Sequence, residues 1–161
     1  MMSGHQTFFK VAHVSQKIAR RTKYLSRRRE EEAQKALVRK RDKVCRFPLC
    51  GCRRFNLALH VAHHPAHHKG MGGHPRGDRN ATALLVLVCA ARHREHAVSL
   101  DRQTVKWEPL SEAGANGPIE WYVRGDAVGE CWEGWVLLHR EGEDWTAQQR
   151  AWAQQLATME R

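Results

Sequence analysis

Between His13 and Lys43 the chain has neither proline nor glycine and is rich in Lys, Arg, Glu, Gln and Ala, all good helix formers. Val14, Ile18, Leu25, Ala33 and Leu37 make only a thin apolar stripe, and Arg27 and Arg28 stand one turn before Glu31 and Glu32. The pattern predicts a largely solvated helix. Residues 1–12 carry no assignable pattern. Leu57–His63 has the apolar and β-branched content of a short strand that ends on histidine. The continuous apolar run Ala83–Val88 fits a buried strand or the buried start of a helix. Ala90–Val98 reads as helical, with His93 and His96 on one face. Beyond Ser99 the pattern alternates: Thr104–Glu108 and Ile119–Val123 flank the turn-rich Gly114–Pro118, which predicts an antiparallel pair with Trp107 and Trp121 packed across it. Trp135–Leu138 offers a third strand. From Asp144 a capped helix would align Trp145, Trp152, Leu156 and Met159.

Charge divides the chain the same way. Residues 1–42 hold 12 Lys and Arg against 4 acids, residues 43–100 hold 9 against 2, and residues 101–161 hold 6 against 11, within a net charge of +10. Positive potential over the first two segments favours a polyanionic partner, and the acidic third reads as scaffold. The expected organisation is a basic helical extension (1–42), a metal-organised core (43–100) and a C-terminal hairpin and helix packed on it (101–161). The start Met1–His5 has no apolar stretch of the length a secretory signal needs, and the longest apolar run, Ala81–Ala91, is too short to span a bilayer. The expectation is therefore an intracellular protein with reduced thiols and no membrane partner, and the five cysteines favour metal ligation over a disulfide framework.

Six histidines fall between His60 and His74, a density no apolar core requires. Pairs of candidate ligands bracket them: Cys45 and Cys50 on one side, Cys89 and His93 on the other. Structural zinc takes four sulfur or nitrogen ligands, commonly as two local pairs, and these four residues meet that description. Cys52 can replace Cys50, and Cys131 reads as an ordinary buried thiol. Adjacent histidines at a strand end point in different directions, so one can bind an ion while its neighbour faces substrate. A neutral imidazole takes a proton from water near pH 7, and a neighbouring cation neutralises charge developing on a phosphate. In a basic setting, with no His-Glu-x-x-His helix, phosphodiester cleavage fits better than peptide cleavage.

The runs Val44–Cys50, Val61–His64, His68–Gly73 with Gly77–Arg79, and Leu87–His93 together resemble HNH endonucleases of the phage and prophage type, over about residues 41–100. The resemblance implies an α+β fold around a ββα-metal, treble-clef-like finger, a structural Zn2+, and a catalytic Mg2+, Mn2+, Ni2+ or Zn2+. By position it implies His64 as general base with His63 as metal ligand, or His63 as base. His93 or His96 would complete the catalytic ion; if His93 serves zinc, His96 is that ligand. The family's middle asparagine commonly stands five residues before the position of Cys89, where this chain has Leu84. Asn80 is the nearest substitute. DNA would be held by Lys69, Arg76 and Arg79 of the glycine-rich loop and by Arg27, Arg28 and Arg39. A phage or prophage enzyme of this kind would work in the cytoplasm of a bacterial host. Two other classes fit the residues: a zinc-stabilised nucleic-acid-binding module without catalysis, and a metal-handling surface unrelated to nucleic acid.

Overall fold

The computed structural model describes residues 5–48, 50, 52, 58–64, 81–95, 97–131 and 134–158. Two compact units are present, residues 1–34 and 35–161. Helix α1 spans His5–Asp42. In the first unit its side chains from Gln16 to Glu30 are all exposed, as the thin apolar stripe predicts.

In the second unit, two small antiparallel sheets supply the frame. Strand β1 (Leu59–His63) pairs with β2 (Leu85–Cys89), with Leu59 opposite Cys89 and His63 opposite Leu85. A single π-helical turn, Ala91–Glu95, follows β2 directly. The second sheet has the order β3 (Val105–Pro109), β4 (Ile119–Arg124), β5 (Trp135–Arg140), and α2 (Ala147–Thr158) closes the described chain. Thr146 and Gln149 cap α2 reciprocally: the Gln149 N–H donates to Thr146 Oγ1 at 3.2 Å and the Thr146 N–H to Gln149 Oε1 at 3.0 Å.

Every residue of β2 is buried because both of its faces are covered. Val86 and Val88, with Ala62 of β1, join the core made by Val105, Trp107, Trp121, Val123 and Leu138 of the second sheet. Leu85 and Leu87, with Val61, pack on Val38, the buried residue of the last turns of α1. That two-sided burial is why β2 reads as an unbroken apolar run. Trp107 and Trp121 stand directly opposite each other, and both are fully buried.

Polar groups tie these layers together. Asp42 accepts the Leu87 N–H at 2.8 Å and holds Arg41 through both carboxylate oxygens, at 2.5 and 2.8 Å. Arg46 grips Glu141 with Nε and Nη2 at 2.8 and 2.6 Å and donates to the carbonyls of Ala115 and Gly117. Its backbone N–H meets Leu87 O at 2.8 Å. Arg46 thus fastens the cysteine-bearing turn to the second sheet. Arg46→Ala leaves a largely covered carboxylate and two carbonyls without their donor, at a cost of about 3 kcal/mol, and lowers the melting temperature by about 10 °C. Thermal unfolding followed by tryptophan fluorescence checks this, with Glu141→Gln expected to cost less because its amide oxygen still accepts. Gly114, at φ +59°, allows the segment before β2 to approach: a Cβ there would collide with the carbonyl of Ala83.

Candidate metal centre and histidine cluster

The turn after α1 and the end of β2 converge on one point. Cys45, Cys50, Cys52 and Cys89 place their sulfurs within 4.8 Å of one another, and Cys50 Sγ lies 3.5 Å from Cys89 Sγ. The S···S edge of a tetrahedral zinc–thiolate site is about 3.8 Å, given Zn–S near 2.3 Å. The Cys89 N–H donates to Cys45 Sγ at 3.3 Å. Cys52 and Cys89 are buried, and Cys45 and Cys50 half-buried. Hydrogen bonding from Cys45 and then Cys89 brings the Cys50 thiol down to about 5. Cys45 is held above the ordinary thiol value by the bond it shares with Cys50, and burial raises Cys52. Four converging sulfurs are a donor set that can hold a metal ion such as zinc.

Cys52 therefore stands where His93 was expected as fourth partner, and it joins Cys50 instead of replacing it. Cys131, read from the sequence as a buried thiol, is exposed, at a bend between β4 and β5.

The histidines of β1 separate by parity, since alternate residues of a strand face opposite ways. His60 and His64 share the face of Ala62, while His63 shares that of Val61 and Leu85. Because Leu59 is opposite Cys89, the π-helical turn that follows Cys89 returns over the start of β1. It brings His93 Nδ1 to 3.3 Å from His60 Nδ1, the two rings nearly perpendicular at 82°. Behind His93, Asp101 Oδ1 lies 3.7 Å from Nε2, and the Asp101 N–H donates to the His93 carbonyl at 2.9 Å. Two imidazole nitrogens 3.3 Å apart match the edge of a tetrahedral site with metal–nitrogen bonds of about 2.1 Å.

His64 is placed differently. Its ring meets Trp107 edge to face at 4.6 Å, its Nε2 is 3.4 Å from Glu108 Oε2, and its side chain is only 12% exposed. Arg27 and Arg28 in the first unit, and Arg39 in the second, are exposed. Lys69, Arg76, Arg79, Asn80 and His96 lie outside the described residues.

The chain finds no match among family models, curated proteins or solved structures. Among the described residues, no helix is long and apolar enough to cross a membrane. Sequence reasoning did not single out His60 or Asp101. Strand parity alone groups His60 with His64. The signal that separates them is the β1–β2 register, which no local pattern carries.

Proposed function

We propose that this chain is a metal-dependent HNH-type endonuclease that hydrolyses DNA phosphodiester bonds in the cytoplasm of a bacterial host, around a zinc-braced ββα-metal finger. What carries the proposal is the meeting of His93 with His60: an antiparallel pair runs straight into a helical turn whose histidine returns to the strand, beside four converging cysteines. The four thiols would hold zinc and fix the start of the turn. His60 and His93 would hold the catalytic ion, with Asp101 keeping the His93 Nε2–H turned away from it, as carboxylates do behind metal-bound histidines. An ion so placed would neutralise charge on the phosphate and leaving oxygen, and a histidine of the His63–His68 segment would accept the proton of the attacking water. The products would carry 5′-phosphate and 3′-hydroxyl ends. Imidazole ligands favour Ni2+ or Zn2+ over Mg2+ and Mn2+.

The four-cysteine cluster by itself equally supports a zinc-stabilised nucleic-acid-binding module without catalysis. Metal-stripped protein reloaded with zinc and then given each divalent ion with supercoiled plasmid separates the two. Ion-dependent nicking supports the nuclease; salt-sensitive DNA retention with every plasmid intact supports the binding module.

A further inference from the structure

The first unit of α1 carries a charged face that the chemistry of the second unit does not use. At 100° per residue, Lys17, Arg20, Arg21, Tyr24, Arg27 and Arg28 fall within a sector of about 120°. All six are exposed, Tyr24 by 63%. Within the sector Arg20 and Arg27 form one edge, Lys17, Arg21 and Arg28 the other, and Tyr24 lies between the two rows. Acids begin only at Glu30. Ile18 and Leu25 lie outside this sector.

From Lys17 to Arg28 the face runs about 16 Å, at 1.5 Å per residue. The major groove of B-DNA is about 12 Å wide and admits one helix, with phosphate chains on both sides. We infer that this face seats in the major groove of duplex DNA: the two cation rows reach the two phosphate walls, and Tyr24 faces the base edges. The inference rests on the DNA reading above and adds to it which surface holds the duplex and by which groove. Charge complementarity supplies the affinity, since each cation that neutralises a phosphate releases a counterion. Arginine rows at both margins position the helix, and a single tyrosine carries little base information, so the contact is largely independent of sequence.

The test uses the full chain and a 25-base-pair duplex, with binding followed by fluorescence anisotropy across a salt series. Replacing Arg20, Arg21, Arg27 and Arg28 by Gln should reduce the slope of log K against log salt by about 3.6, at 0.9 per phosphate contact. Tyr24→Ala should weaken binding while Tyr24→Phe keeps it, and Ile18→Gln with Leu25→Gln, off the face, should leave it unchanged. A duplex whose major groove is filled by glucosylated hydroxymethylcytosine should bind at least tenfold more weakly. An unchanged salt slope in the quadruple variant, equal binding of the glucosylated duplex, or equal binding of a single strand overturns the inference. Its failure is distinguishable from failure of the nuclease reading: plasmid nicking that continues in a quadruple variant with undiminished binding removes the groove contact and leaves cleavage standing.

Discussion

Substituting any one of Cys45, Cys50, Cys52 or Cys89 by serine is expected to release one zinc ion per chain and lower the melting temperature by more than 10 °C. A zinc ion held by the four thiols would join the turn that bears Cys45, Cys50 and Cys52 to Cys89 at the end of β2, closing a loop of about 44 residues. By chain entropy alone, a cross-link of that span is worth about 4 kcal/mol, and domains of this size shift by about 2–4 °C per kcal/mol. Loss of that metal would also leave sulfurs packed together without a shared counter-charge, which would add to the cost. His93→Ala, in contrast, should keep its zinc and nearly its full melting temperature, because the fourth corner of the cluster is Cys52. Zinc content by elemental analysis, alongside thermal unfolding, checks both halves. The pH dependence has a definite sign. Cys50 is held down to about 5, whereas Cys45, Cys52 and Cys89 are held above the ordinary thiol value, so those three must lose protons when metal binds. Metal binding therefore strengthens as pH rises and weakens on acidification.

The second large effect is on cleavage. His60→Ala and His93→Ala should each reduce ion-dependent nicking by a factor of about 10² to 10⁴ with the zinc cluster intact. Asp101→Asn should weaken the activating ion about tenfold, read as the shift in the ion concentration giving half-maximal rate, because it loosens the orientation of His93 without removing a ligand. His64→Ala belongs to another class: with its ring against Trp107 and its side chain largely covered, its main loss should be stability. Single-turnover nicking assays set beside melting curves separate these outcomes. A His64→Ala chain that melts normally but does not cut would return the general base to His64.

Much of the fold was legible because the controlling interactions are local. The helix of residues 13–43 lacks any breaker, and it extends further towards the N-terminus than its pattern alone indicated. The Trp107–Trp121 pair followed from period-two alternation around a turn rich in glycine, and the third strand from the short apolar stretch Trp135–Leu138. The run at Ala83–Val88 could not be resolved between strand and helix, since burial on both faces erases alternation; only the neighbours, Val38 on one side and Trp107 on the other, decide it. The expected helix over Ala90–Val98 is a single turn in the structure. Backbone bonds from Leu100 to Arg92 O and from Asp101 to His93 O, each 2.9 Å, draw the following segment back over it.

The site was less legible for the same reason. Spacing pointed to Cys45, Cys50, Cys89 and His93, with Cys52 as a substitute for Cys50; that Cys52 lies beside Cys50 in the cluster depends on how the turn folds under β2. His60 emerges as the partner of His93 only through the register that sets Leu59 against Cys89. Asp101 lies beyond the histidine-rich segment and enters through backbone contacts that no motif encodes.

The most direct measurement is conversion of supercoiled plasmid to nicked circle by wild type and His93→Ala, matched for zinc content, with Mg2+, Mn2+, Ni2+ or additional Zn2+ supplied separately. The expected result is nicking by wild type that requires the added ion, is best with an imidazole-preferring one, and is lost in His93→Ala. Wild-type protein that binds the plasmid and leaves it supercoiled with every ion, or His93→Ala that nicks at the wild-type rate, would contradict the assignment.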